Sequence, residues 1–137
     1  MPNLLCFNPD SGLQDNPLYI SGKIILQDKA SCFPALILSP PASDDAVVID
    51  ATAAPGNKTS HLSALMNNKG KVQFLMRNFI LVSEYRSQLF AFERDRKRYS
   101  TLRTMLDKAG CANVTPINAD FLSVDPLDLR YATVSHM

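Results

Sequence analysis

The stretch from Val47 to Leu65 constrains the fold of this chain more than any other part of the sequence. Val47, Val48 and Ile49 form a short apolar, β-branched run, which is typical of a strand buried in a parallel sheet. From Asn57 onward the apolar residues recur at helical spacing. The pattern therefore predicts a strand, a tight turn and a helix, as in an α/β fold.

The turn between this strand and this helix is built from small residues. Residues 51–56 read Ala-Thr-Ala-Ala-Pro-Gly, so a ligand can approach the backbone closely, and Gly56 can adopt dihedral angles that other residues avoid. The helix that begins near Asn57 directs free N–H groups into the same space, which suits a carboxylate or a phosphate. Asp50 ends the strand where open α/β sheets bind ligands, and we expect it to organise the turn.

The glycines that two common phosphate-binding loops require are missing from this turn. A Walker loop needs glycines where the chain has Thr52 and Asn57. A G-x-G-x-x-G dinucleotide loop is also absent because Gly56 stands alone, which argues against a nucleotide-dependent oxidoreductase. S-adenosylmethionine is the remaining common ligand of such a turn. Its carboxylate suits the start of a helix, and its ribose offers two hydroxyl groups to an acidic side chain further along the chain. On the pattern alone, an ordinary strand-turn-helix without a ligand is an equally good interpretation.

The regions on either side of this unit are predicted from turn residues and periodicity. Residues 1–45 are expected to form a lead-in segment, irregular over Met1–Gly22, with a short strand at Lys23–Leu26 and a helix at Ala30–Leu38 capped by Ser31. Residues 46–137 are expected to form a partial cofactor-binding domain. Its later elements are a helix with an apolar face from Tyr99 to Ala109, a third strand at Val114–Ile117, and the start of a fourth strand at Tyr131–Met137.

Four strings of the sequence together resemble one enzyme family. ILQDKASCFPALIL, DATAAPGNKTSHLSAL, FAFERDRKR and NADFL closely resemble the Sun-type (NOL/NOP/Sun) RNA cytosine-5 methyltransferases, and within them the branch that modifies large-subunit ribosomal RNA. The resemblance covers nearly the whole chain. It implies an α/β, Rossmann-like S-adenosylmethionine-dependent methyltransferase fold, truncated after the start of the fourth strand.

The resemblance also implies a set of cofactor contacts. Glu93 would accept hydrogen bonds from the ribose hydroxyls, Arg98 would contact the cofactor, and Asp120 would accept a hydrogen bond from the adenine amine. For Asp120, a cap on the following turn is the alternative. The residues implied to bind the cofactor are Thr52, Ala53, Ala54, Pro55, Gly56, Asn57, Lys58, Glu93, Arg98 and Asp120.

The second strand has two possible positions, because residues 73–89 interrupt the resemblance and look like an insertion. One is Leu89–Glu93, with Glu93 as the ribose acid; the other is Phe79–Ser83, with Glu84 in that role. We favour Leu89–Glu93, since FAFERDRKR matches the family.

Several charged residues allow two interpretations. The first turns of a helix are crowded by Arg94, Arg96, Lys97 and Arg98, although positive charge opposes the dipole there. These residues are either a patch for RNA phosphate or, Arg98 excepted, a solvated face partly balanced by Asp95. For His61, packing or capping is preferred to chemistry.

The catalytic group of the family is not found in this sequence. Such enzymes add a cysteine thiolate to carbon 6 of cytosine, and their cysteines lie in Asp-Pro-Ser-Cys and Thr-Cys-Ser contexts. Neither occurs here, and Cys6, Cys32 and Cys111 lie in other contexts, without C-x-x-C spacing. We therefore expect no catalytic residue, no metal site and no disulfide framework in this chain.

Composition sets the remaining expectations. A formal net charge of +1 gives no overall attraction to nucleic acid, and no stretch is apolar for long enough to span a bilayer. We expect an intracellular protein, in the nucleolus or nucleus of a eukaryote or otherwise the cytoplasm, with RNA as partner. It would be the cofactor-binding portion of a ribosomal RNA methyltransferase, or alternatively a non-catalytic S-adenosylmethionine-binding or scaffold fragment.

Overall fold

A computed structural model describes residues 5–8, 10–43, 46–68 and 88–137 of the chain. Three parallel strands form one sheet in chain order, namely β1 (Val47–Asp50), β2 (Gln88–Phe92) and β3 (Val114–Ile117). Parallel neighbours require crossover connections, and helices follow the first two strands. The helices are α1 (Pro17–Ile20), α2 (Lys29–Leu38), α3 (Asn57–Leu65) and α4 (Arg96–Lys108), with 3₁₀ turns at Leu13–Asp15, Phe121–Ser123 and Leu129–Tyr131.

The two faces of the sheet bury alternate residues of β2. Leu89 and Ala91 face the helices, where Leu89 packs with α2 and α3, and Ala91 packs with α4. Phe90 and Phe92 point to the opposite face and pack against the segment that follows β3. Strand β2 is therefore buried on both faces, as expected of a central parallel strand.

The position of β2 settles the choice between the two candidate strands. Gln88–Phe92 pairs with β1 on one side and β3 on the other, so Glu93 directly follows the central strand, as predicted. Gln88 and Leu89, assigned to the end of the insertion, belong to this strand. The rest of residues 73–89, including the alternative strand and Glu84, lies outside the described residues.

The predicted fourth strand is present only as a single bridge beside β1. Ser135 donates its N–H to the carbonyl of Val47, and the carbonyl of His136 accepts from Ile49 N. The residues before this bridge form a 3₁₀ turn, which presents the Tyr131 ring to Phe90 at a centroid distance of 4.9 Å. This turn therefore takes the place of strand pairing at the start of Tyr131–Met137.

Two predictions for the lead-in segment are wrong. Lys23–Leu26 is not a strand, because the N–H groups of Lys23 and Ile24 both donate to the carbonyl of Leu18 and close the end of α1. Ser31 does not cap the next helix, since α2 begins at Lys29 and its N-cap is Asp28. Ser31 lies inside the first turn, where its N–H donates to the Asp28 carbonyl.

Candidate functional site

The carboxyl ends of the three strands bring three acidic residues to one edge of the sheet. Asp50 ends β1, Glu93 follows β2, and Asp120 comes shortly after β3. The strands are parallel and staggered only slightly, since Asp50 is opposite Ala91 and Phe92 is opposite Ile117. Ligands of open parallel sheets bind at this edge, so these acids mark the candidate site.

Asp50 organises the turn that follows β1, as predicted from sequence. One carboxylate oxygen accepts the N–H of Thr52 at 3.2 Å, and the other accepts the Thr59 hydroxyl at 2.7 Å. Ala53 donates its N–H to the carbonyl of Phe92 at 2.9 Å, which ties the turn to β2. Thr59 is fully buried, and the sequence reasoning overlooked it. The sequence feature that could have identified Thr59 is its position, a hydroxyl residue in the first turn of a helix that follows a loop of small residues.

Gly56 allows the turn and α3 to approach α4 closely. Its φ of 114° is a conformation that other residues rarely adopt, and a Cβ atom there would lie 3.1 Å from Cγ of Met105. No side chain of the described residues caps the start of α3. The first N–H groups of this helix therefore stay available, as the sequence led us to expect.

Glu93 is held in place between its own strand and the turn. Its side chain is only 5% exposed, and Oε1 accepts the N–H of Asp95 at 2.9 Å. Oε2 lies 3.6 Å from the Arg98 guanidinium, which also donates to the carbonyl of Ala54 at 2.9 Å. Arg98 thus bridges the buried acid and the turn. The Asn118 amide donates to the Glu93 carbonyl at 2.8 Å and adds a link to the end of β3.

Asp120 is more open than Glu93 and caps a turn. Its Oδ1 accepts the N–H of Leu122 at 3.0 Å, while Oδ2 lies 3.7 Å from the Arg94 guanidinium. The side chain is 43% exposed. The next residue, Phe121, packs edge-on against Phe92 with ring centroids 5.4 Å apart. The capping interaction that we kept as the alternative is therefore present, and one oxygen is held only by a long ion pair.

The turn also borders a cavity of approximately 950 Å³ between it and the lead-in segment. Only some of the residues implied to bind the cofactor line this cavity. Thr52–Pro55, Asn57 and Lys58 line the cavity, whereas Gly56, Glu93, Arg98 and Asp120 do not. Asn57 donates across it to the Leu26 carbonyl at 3.4 Å.

His61 lies on the α3 wall of this cavity. Its buried Nδ1 has no hydrogen-bond partner among the described residues, and burial lowers the pKa of its imidazole. Nδ1 therefore makes no capping interaction within the described part of the chain, and packing is the interpretation that its contacts favour.

The three cysteines differ in their surroundings. Cys6 is exposed, Cys32 is buried in α2 with its thiol 3.5 Å from the Asp28 carbonyl, and Cys111 is partly buried. Burial raises the pKa of the Cys111 thiol, although a hydrogen bond to Ser63 opposes that shift. Within the described ranges, no group of three His, Cys, Asp or Glu side chains is arranged to hold a metal ion, and no helix is both long and apolar enough to cross a membrane.

Comparison with known proteins finds methyltransferases similar to the full length of the chain. The mouse 28S rRNA (cytosine-C(5))-methyltransferase is 42% identical over 137 residues, which are 100% of this chain and 25% of that protein. The 25S rRNA (cytosine-C(5))-methyltransferase of Schizosaccharomyces pombe is 41% identical over 135 residues, covering 98% of this chain and 25% of that protein. The chain thus spans about a quarter of the length of these curated relatives. No family model matches it.

A solved structure has a similar fold. A methyltransferase homolog protein from Pyrococcus horikoshii aligns with a TM-score of 0.62 and 28% identity, over 82% of this chain and 30% of that one. Together with the curated relatives, this likeness confirms two predictions. The fold is that of a Rossmann-like S-adenosylmethionine-dependent methyltransferase, here as a partial domain, and the resemblance is to the large-subunit ribosomal RNA branch.

Proposed function

We propose that this chain, which is homologous over its full length to large-subunit ribosomal RNA (cytosine-C5)-methyltransferases, is the cofactor-binding portion of such an enzyme. Its ligand would be S-adenosylmethionine, and ribosomal RNA would be the substrate of the complete site. One observation carries the proposal. A buried carboxylate at the end of the central strand is joined through Arg98 to a small-residue turn that leads into an uncapped helix.

Glu93 is the residue proposed to bind the ribose. A carboxylate offers about four lone-pair positions, and within the described residues Glu93 uses one for Asp95 N while a second faces Arg98 at 3.6 Å. Two acceptor positions are therefore left for the adjacent ribose hydroxyls. Because Glu93 is almost fully buried, its carboxylate would approach the ribose in one orientation and with little competition from water.

The two ends of the cofactor would lie on either side of the ribose. The start of α3 offers free N–H groups and the positive end of the helix dipole to the carboxylate of the amino-acid moiety, and the exposed Lys58 adds a positive charge. The adenine amine would donate to Asp120 through Oδ2, since its Oδ1 accepts the N–H of Leu122. Phe121 lies beside this position.

The methyl transfer itself needs a thiolate that we do not assign to this chain. Cytosine carbon 5 becomes nucleophilic only after a thiolate has added to carbon 6, and the resulting enamine then attacks the methyl group of the sulfonium. Cys111 is poorly suited because burial raises its pKa, and Cys32 is buried within α2. We therefore propose that this chain holds and orients the cofactor, while another part of the enzyme supplies the nucleophile.

Residues 73–89 and the location in the cell complete the proposal. We retain residues 73–89 as an insertion relative to the family, although its last two residues, Gln88 and Leu89, belong to β2 and pair with β1. The same homology supports ribosome assembly as the setting, which means the nucleolus or nucleus if the chain comes from a eukaryote and the cytoplasm otherwise. A non-catalytic S-adenosylmethionine-binding or scaffold fragment is the second candidate, and it is favoured by the same lack of an assigned nucleophile.

Calorimetry and a transfer assay test these proposals together. We expect the purified chain to bind S-adenosylmethionine and its demethylated product, and to show no binding of NAD. With radiolabelled cofactor and ribosomal RNA we expect no methyl transfer by the chain alone. A folded sample without affinity for either cofactor form would overturn the proposed function, and methyl transfer would show that one of its three cysteines is the nucleophile.

A further inference from the structure

The outward side of α4 is exposed and rich in positive charge. Arg96, Lys97 and Arg103 are all exposed, and none of them takes part in an ion pair within the described residues. At 3.6 residues per turn they share one broad face of the helix with three exposed hydroxyl side chains and, one turn after Arg103, with the exposed Asp107. We call this set the α4 basic face; it consists of Arg96, Lys97, Ser100, Thr101, Arg103 and Thr104.

The positive charges at the start of α4 lower the stability of the protein, and no ion pair with a described residue offsets this effect. Arg96 and Lys97 lie in the first turn of α4, where the helix dipole disfavours cations. Asp95 is already used as the N-cap, since its carboxylate accepts the N–H of Arg98 at 2.8 Å. The neighbouring Arg94 and Arg98 differ, because they face Asp120 and Glu93 at the candidate site. Among the cations from Arg94 to Arg103, those without an ion pair to a described residue are therefore Arg96, Lys97 and Arg103.

We infer that the α4 basic face binds the phosphate backbone of single-stranded RNA. Arginine and lysine side chains are common phosphate ligands, whereas the hydroxyls of Thr101 and Thr104 already donate to carbonyls of the same helix. The face carries no aromatic side chain on which a base could stack, so it would contact the backbone of the RNA and not its bases. Arg96 and Arg103 are seven residues apart, which is about 10 Å along a helix and enough to follow more than one phosphate. Binding of this kind would not depend on base sequence.

This inference rests on the proposed function, because the RNA would be the substrate that the cofactor methylates. Helix α4 begins at Arg96, shortly after Glu93, so its first turn lies at the edge of the sheet that holds this acid. An RNA strand following the basic face toward this turn would be led to the candidate cofactor site. The inference therefore assigns the face a role in delivering substrate, separate from the residues proposed to hold the cofactor.

The test compares two triple variants that remove the same charge. The first replaces Arg96, Lys97 and Arg103 with glutamine, and the control replaces the exposed Lys23, Lys29 and Arg130 with glutamine. Binding of a fluorescein-labelled, mixed-sequence single-stranded RNA oligonucleotide is measured by anisotropy between about 50 and 200 mM salt. We expect the first variant to bind more weakly and its slope of log affinity against log salt to be shallower by about 2, because each phosphate that is no longer neutralised reduces the slope by ~0.7. The control should keep the slope of the unsubstituted chain.

The outcomes separate this inference from the proposed function. Equal salt slopes for the two variants would overturn the inference, as would competition by polyglutamate that is as effective as competition by unlabelled RNA. The first variant should bind S-adenosylmethionine with unchanged affinity, and loss of that binding would also count against a separate RNA face. If the unsubstituted chain binds RNA through this face but does not bind the cofactor, the proposed function and the role in substrate delivery both fail, whereas the assignment of the face as a site for RNA phosphate stands.

Discussion

Replacing Glu93 is the sharpest test of the candidate cofactor site. Glu93→Ala removes the acceptor proposed for two ribose hydroxyls and also leaves the N–H of Asp95 and the Arg98 guanidinium without their carboxylate. In the complex, ribose hydroxyls left without an acceptor cost about 1–3 kcal/mol, whereas the lost contacts to Asp95 and Arg98 weaken the free and the bound protein alike. We therefore expect the Kd for S-adenosylmethionine to rise by roughly 5-fold to 150-fold. Glu93→Gln keeps one carbonyl acceptor in the same place and should show a smaller loss.

Calorimetric titration of the two variants should be accompanied by a matched control. Asp107→Asn removes one exposed acidic charge from α4, away from the strand ends, and should leave the Kd unchanged. Thermal unfolding of each variant separates weaker affinity from defective folding. Cofactor affinity that is unaltered in a folded Glu93→Ala protein would refute the ribose assignment. If Glu84→Ala weakens binding instead, the acid that binds the ribose is Glu84 and not Glu93.

Three further predictions concern the turn and its surroundings. Thr59→Val should lower the free energy of urea-induced unfolding by about 1.5–3 kcal/mol, because it removes a buried hydrogen bond to the charged Asp50; Thr59→Ser, which keeps the hydroxyl, should lose less. Gly56→Ala should reduce the same free energy more than Gly12→Ala, since both glycines have positive φ but only Gly56 has neighbouring atoms against the added methyl group. Burial lowers the pKa of His61 below 6.5, so the imidazole binds a proton at a higher pH in the unfolded chain than in the folded one, and the free energy of unfolding should fall as the pH drops below 6.5. In His61→Gln, the decrease in Tm between about pH 7.5 and pH 5.5 should therefore be smaller.

The central elements could be predicted from sequence because local patterns determine them. The run Val47–Ile49 and the small-residue turn after it identified β1 and the start of α3 without any long-range information. The helical periodicity of Tyr99 to Ala109 similarly identified α4 to within a few residues. The choice of Leu89–Glu93 over Phe79–Ser83 rested on the resemblance alone, since both segments are largely apolar and each has an acid at its end, Glu93 within the first and Glu84 directly after the second.

The features that the sequence did not reveal depend on residues distant along the chain. A strand at Lys23–Leu26 would need a partner strand, and Leu18 competes for the same N–H groups by closing a helix end. Pairing of Tyr131–Met137 with β1 is limited to one bridge because the backbone at Tyr131 still belongs to a 3₁₀ turn, from which its ring packs on Phe90. Likewise, the links from Thr59 to Asp50 and from Arg98 to the turn become visible only when the elements are assembled.

Helical geometry gives neighbouring cations of the run RDRKR, residues 94–98, different surroundings. In the sequence, Arg96, Lys97 and Arg98 are consecutive and look equivalent. Each residue of a helix is turned by about 100° from the one before, so Arg98 lies roughly 200° around the axis from Arg96. Arg98 therefore reaches the Ala54 carbonyl and the Glu93 carboxylate, whereas Arg96 faces solvent. Removing Arg98 should loosen the turn, whereas removing Arg96 should break no contact within the described residues, relieve its unfavourable position at the start of the helix and weaken what binds from outside.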